Sequence, residues 1–178
     1  MSIIEAIKTI PSGTWKADPV HSSVGFAVKH MGVATFKGGF DAFTATLVDG
    51  KLAGSAAVSS VRVQDESLNG HLLSPDFFDA ERYPEIQFES TAAHVDRDTF
   101  VAEGELELKG VRKPLQLRGT ITPPTADPYG NERLGIRLET TIDRTDFGVN
   151  WNAELPTGGP VVENEVKLTA ELELIKEA

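Results

Sequence analysis

Cysteine is absent from the chain, which excludes a disulfide framework and any thiolate metal site. Basic residues are scarce: 17 Lys and Arg face 27 Asp and Glu, a formal net charge of −10. A body charged in this way repels phosphate backbones and anionic surfaces at long range, so nucleic acid is not an expected partner. Long apolar runs are missing too, which leaves no membrane-spanning segment. The opening Met1-Ser2-Ile3-Ile4-Glu5-Ala6-Ile7-Lys8 carries an acid within a short apolar stretch and does not read as an export signal, so the expected location is cytoplasmic.

What is present is ordinary globular material: 178 residues, 40% hydrophobic and 25% charged, with Gly and Pro scattered rather than gathered into a tract. That length suits one compact domain around one core. We expect a flexible N-terminal segment over 1–12 and a single domain over 13–178.

The dominant period is two. Val24, Phe26 and Val28 alternate with Gly25, Ala27 and Lys29, and Leu134, Ile136, Leu138, Thr140 and Ile142 alternate with Gly135, Arg137, Glu139 and Thr141. Val166, Leu168, Ala170, Leu172 and Leu174 do the same near the C-terminus. Such alternation marks strands with one dry and one wet face. It predicts strands near 22–30, 33–48 with an interruption around Asp41, 52–63, 85–95, 99–109, 115–121, 133–143 and 164–175.

Asp49-Gly50 is a strong hairpin turn, and Asp96-Arg97-Asp98, Lys109-Gly110 and Tyr129-Gly130-Asn131 are looser ones. Short connections make neighbouring strands antiparallel. Between 65 and 80, Leu68, Leu72, Leu73 and Phe77 recur at helical spacing, and Ser74-Pro75-Asp76 has the pattern of a helix start. Two short helices meeting at Ser74 are expected. The irregular stretch from Asp146 to Pro160, with Phe147 and Trp151, is long and aromatic enough to fold over one end. The fold is all-β; alternation alone leaves a sandwich and a closed barrel equally open.

Catalytic motifs are lacking. His21, His30, His71 and His94 fall into no metal-binding spacing, so neither a metal site nor a cofactor is expected. Asp146-Phe147-Gly148 copies a kinase tripeptide without the glycine-rich loop, strand lysine or catalytic loop that gives it meaning. Asp18, His21, Ser22 and Ser23 lack a nucleophile elbow, and adjacent strand residues point to opposite faces.

Five ordered stretches carry a resemblance. Asp18-Pro19-Val20-His21-Ser22-Ser23-Val24-Gly25-Phe26-Ala27-Val28-Lys29-His30 is similar to the opening signature of YceI-like proteins, and Phe36-Lys37-Gly38-Gly39-Phe40 resembles the element that follows it. His71 to Asp79 with Tyr83 to Phe88 resembles the family's most recognisable stretch. Gly110-Val111-Arg112-Lys113-Pro114 and Arg144-Thr145-Asp146-Phe147-Gly148 complete the order.

The resemblance implies an extended lipocalin-like, eight-stranded antiparallel barrel, often dimeric, with a short helical insertion near 65–80. It further implies an apolar interior that holds a polyisoprenoid, quinone or fatty-acyl lipid, with roles in transport, storage and stress response. Residues expected to line the tunnel are Phe26, Val28, Phe36, Phe40, Phe77, Phe88, Leu106 and Ile142. His21, Lys113 and Arg144, in or beside family motifs, are the expected head-group contacts, although turn charge or an Arg144–Asp146 salt bridge would account equally for the last two. Two alternatives stay open. One is a cofactor-free lipid enzyme using His21 with Asp76; the other is a solid barrel whose aromatics are core and whose function lies on its surface or in a homodimer interface.

Overall fold

The computed structural model describes residues 9–178. Residues 1–8, most of the segment expected to be flexible, lie outside the described residues; Ile10 packs against the core.

Among the described residues there are eleven strand segments: β1 (Thr14–Ala17), β2 (Ser23–His30), β3 (Ala34–Phe40), β4 (Phe43–Val48), β5 (Lys51–Ala57), β6 (Val61–Arg62), β7 (Glu85–Asp96), β8 (Thr99–Leu108), β9 (Val111–Ala126), β10 (Glu132–Asp143) and β11 (Val162–Lys176). Their order is β1-β4-β5-β7-β8-β9-β10-β11, and β1 returns to pair with β11, closing a ring of eight. β2, β3 and β6 extend from β11 beyond that closure. β1 and β2, β3 and β4, and β5 and β6 are thus three long strands, each broken once. With the five continuous strands they make an eight-stranded antiparallel barrel. The break between β3 and β4 falls at Asp41-Ala42, as the alternation predicts.

Closure depends on few residues. β1 pairs Trp15 with Leu47 of β4 on one side and with Lys176 of β11 on the other. Four residues are too short to show a period, which is why β1 is not legible as a strand. β9 is longer than expected because Pro114, Pro123 and Pro124 read as strand breakers. β10 pairs with β9 only from Arg118 onward, so Pro114 sits where one side of β9 is free. A register shift between Arg133 and Gly135 of β10 lies opposite the other two prolines.

The hairpin turns follow local chemistry. Asp49 and Gly50 have φ of 47° and 87°, and Lys109 and Gly110 have 52° and 75°. Both pairs occupy the left-handed region that two-residue turns between twisted strands require, so Lys109-Gly110 is as tight as Asp49-Gly50.

One helix forms where two are expected. α1 (Glu66–Leu73) is capped by Asp65, whose side chain accepts from the Leu68 N–H. The Ser74 hydroxyl donates back to His71 O at 2.6 Å. It thereby caps the end of α1 instead of starting a second helix, and residues 75–78 form turns.

The interior has two halves. Trp15, Leu47, Leu52, Phe100, Ile136, Leu138 and Leu174 fill one end as a dry core. Toward the other end, Leu72 and Phe77 from the helical insertion meet Phe147 and Val149 from the segment after β10, which folds over that end of the barrel as its aromatic content suggests.

Candidate functional site: an apolar cavity closed at one end

Between the two halves lies a cavity of about 630 Å³, within the ~300–1,000 Å³ usual for small-molecule sites. Its wall is apolar, and its origin lies in residue size. Ala45, Gly54, Ala56 and Ala170 line it with little or no side chain to fill it. Larger inward residues then stand at the edge of empty space. Phe26, Phe36, Phe40, Phe78 and Phe88 are only half-buried although they face the interior. In a packed interior such rings would be fully covered.

The aromatic wall is organised. The Phe26 ring lies over Gly38, which has no β-carbon to obstruct it. Phe26 contacts Phe36, Phe40 and Phe78 with centroids 6.3, 5.8 and 6.2 Å apart, tilted or edge-on, the arrangements that ring quadrupoles favour.

All eight residues expected to form the tunnel, Phe26, Val28, Phe36, Phe40, Phe77, Phe88, Leu106 and Ile142, line this cavity. The three expected head-group residues separate. Arg144 lines it; His21 and Lys113 are exposed and form no part of the lining.

Arg144 is buried, with 4% of its surface exposed. Its Nε donates to Glu163 O at 3.0 Å, Nη1 to Val149 O at 2.7 Å and Trp151 O at 2.9 Å, and Nη2 to Val162 O at 3.3 Å. Four carbonyls therefore hold the guanidinium, and Asp146 does not pair with it. Burial pulls its pKa below the ordinary arginine value, yet an arginine stays charged at any neutral pH. No carboxylate among the described residues forms a salt bridge with it.

Beside Arg144, the Trp151 ring meets His71 edge-on at 4.9 Å, and Phe77 does the same at 4.9 Å, with the Phe77 and Trp151 rings themselves 5.4 Å apart. His71 Nε2 lies 3.1 Å from Asp76 Oδ2. His71 and Trp151 both line the cavity and are site residues that periodicity misses, since they come from α1 and an irregular segment. Lys109 Nζ donates to Pro75 O at 2.7 Å and Gly148 O at 3.3 Å, tying the helical insertion to the segment after β10. Polar groups thus gather at this end, opposite the dry core.

Asp76 is engaged by His71, and His21 pairs instead with Asp18, Nδ1 to Oδ2 at 2.8 Å, so the catalytic pair considered above is not assembled. Asp18, His21 and Glu173 converge closely enough to suggest a cation site. Arg133 already occupies the centre, its Nη1 2.9 Å from Asp18 and 3.1 Å from Glu173, with Nε 2.8 Å from Asp127. This cluster clasps the break between β1 and β2 to the β9–β10 turn.

The clasp should make stability acid-sensitive. The His21 ring, then Arg133, then the Val20 N–H hold Asp18 down to about 2. Arg133, then the Asn131 and Tyr129 N–H groups, do the same for Asp127, also to about 2. Both folded values lie below the ordinary 3.8, so the stabilisation is complete above that value and is lost as pH falls from it toward 2. His21 acts oppositely. Its pKa is raised by Asp18 and then Glu173, so its share is present below 6.5 and is lost as pH rises through the raised value. Urea midpoints measured from about pH 5 down to about pH 2.5 should fall steeply, and Asp18→Asn with Asp127→Asn should flatten that slope. An unchanged slope in the double variant would mean that other carboxylates govern acid unfolding.

A family model described as YceI-like domain matches residues 15–174. A UPF0312 protein of Staphylococcus aureus (strain N315) is 30% identical over 165 residues, covering 88% of this chain and 94% of that protein. Among solved structures, Burkholderia cenocepacia BcnA superposes with a TM-score of 0.71 at 20% identity, covering 90% of this chain and 99% of that one. A polyisoprenoid binding domain from Saccharophagus degradans, implicated in plant cell wall breakdown, superposes at 0.68 with 14% identity, covering 94% and 100%. At those identities the likeness shows the fold.

Proposed function

The chain belongs to the YceI-like family, and on that premise we propose that residues 13–178 form one domain that binds a long apolar isoprenoid-type lipid, for transport or storage. The observation that carries this reading is the 630 Å³ apolar cavity walled by half-buried phenylalanines. The Saccharophagus degradans domain, described as polyisoprenoid-binding, supports the choice of lipid class.

The energetics suit such a ligand. At ~0.8 kcal/mol per carbon group, each five-carbon isoprene unit taken from water contributes about 4 kcal/mol gross, so a few units offset the association cost. The placement of polar groups orients the ligand: the tail points toward the core around Phe100 and Leu138, and the head lies near Arg144 and His71. A head group with an acceptor oxygen, such as a quinone carbonyl or a phosphate, matches the positive charge of Arg144. His21 and Lys113 lie outside the lining and take no part in this reading.

Binding rather than catalysis is supported by where the perturbed groups sit. Asp18, Asp127 and Arg133, the residues with the largest shifts, belong to the clasp and do not line the cavity.

Organic extraction of natively purified protein, followed by mass spectrometry, is expected to release a stoichiometric prenyl, quinone or fatty-acyl species. Ala170→Phe, which puts a ring into the empty space, should lower farnesol binding by about tenfold or more with the fold retained by circular dichroism. Protein that is empty as isolated and takes up no farnesol would overturn the proposal.

A further inference from the structure

Most of the exposed cavity lining is concentrated in one place, with Thr44 and Thr169 the exposed lining residues elsewhere on the wall. Lys29, His30, Ala34 and Thr35 line the cavity and are exposed, and they flank the turn between β2 and β3. That turn carries the rim of the cavity, and its tip is apolar: Val33 is 83% exposed and Met31 45%. Met31 N–H donates to Val161 O at 2.7 Å, which fixes the tip beside the segment that covers the cavity.

Charge is distributed unusually here. Between Asp18 and Asp41 there is no acidic residue, although the chain as a whole carries −10. Lys29 and Lys37 form no salt bridge among the described residues. The acids across the sheet, Glu163 and Glu165, sit in the irregular stretch of β11 where pairing with β2 shifts register. At physiological ionic strength, charges beyond about 8 Å are largely screened. The local charges, Lys29 and Lys37 with Glu163 and Glu165 across from them, rather than the distant net charge, therefore set the potential felt at contact, and locally they are close to balance.

We propose that the β2–β3 tip docks on a lipid bilayer, with Met31 and Val33 entering the apolar layer and Lys29 and Lys37 facing the head groups, so that cargo passes between bilayer and cavity without crossing water. The lipid surface is favoured over a protein partner because the exposed apolar residues are few and at a tip, as insertion requires. A protein interface would call for a broad patch. The inference rests on the lipid-binding reading above.

The test is flotation of the whole chain with vesicles of phosphatidylcholine containing a minority of phosphatidylglycerol, alongside Met31→Asp with Val33→Asp. The parent should float, and the variant should partition about tenfold less or weaker, with an unchanged urea midpoint because both residues lie outside the core. Farnesol presented in solution should bind both proteins alike, so a failure of docking is distinguishable from a failure of cavity binding. A parent that does not float, or a variant that floats equally, overturns the proposal. Concentration-dependent self-association lost in the variant, without flotation of the parent, would assign the tip to a second copy and overturn it too.

Discussion

Gly119→Ala is expected to destabilise the barrel by about 3 kcal/mol or more. Gly119 faces inward on β9 where β10 crosses closely, and a β-carbon there would fall on the carbonyl oxygen of Arg137. That obstacle is backbone, held in the β9–β10 ladder by the pairing of Leu138 with Gly119. It cannot rotate aside as a side chain would, so the strands must separate and lose hydrogen bonds. Gly104 on β8 meets the same obstacle in Glu89 O and in the Ser90 Cα at 2.7 Å, beside a register shift of β7. Gly70 is the control. It lies within α1 with nothing near its missing β-carbon, so Gly70→Ala should stabilise by about 0.5–1 kcal/mol through helix propensity. Urea midpoints of Gly119→Ala, Gly104→Ala and Gly70→Ala check the order; a Gly119→Ala protein as stable as its parent would mean that the bend at this crossing is easily relaxed.

Arg144→Met should cost about 3–5 kcal/mol. Methionine keeps much of the side-chain length but leaves Glu163 O, Val149 O and Trp151 O without the donor that now joins them, while Val162 O keeps the Asn152 amide at 2.7 Å. Each orphaned buried carbonyl costs on the order of 1–3 kcal/mol, less wherever water can enter. Arg144→Lys is expected to recover only part of the loss, because one ammonium cannot span acceptors spread around a planar fork. The loss should extend to the cavity, since Val149, Trp151 and Val162 all line it: farnesol affinity should fall even under conditions where the variant stays folded. Urea unfolding with a parallel farnesol titration separates the effects. A variant within about 0.5 kcal/mol of its parent would show that water or the chain itself replaces the guanidinium.

Much of the architecture is legible from local pattern. Leu134 to Ile142 and Val166 to Leu174 alternate because each strand has one dry face, and both lie where strands are expected. Asp49-Gly50 turns where it does because few other pairs tolerate two successive positive φ values. The family resemblance, carried by stretches from Asp18 to Gly148, adds the barrel that alternation could not choose over a sandwich.

The remainder depends on contacts distant in sequence. Trp15 closes the ring by pairing with residues 32 and 161 positions away, and a four-residue strand leaves no periodic trace. Ser74 caps a helix end rather than a helix start because His71 O lies within reach, a matter of a few dihedral angles. Arg144 looks like turn charge in the chain and becomes a buried bolt only when β11 and residues 149–151 converge on it. Alternation reports that Phe26, Phe36 and Phe40 face a dry interior. Whether that interior is full or empty depends on the summed volumes of side chains from every strand around the barrel, and Ala45, Gly54, Ala56 and Ala170 leave it empty only because the barrel brings them to the wall of one cavity.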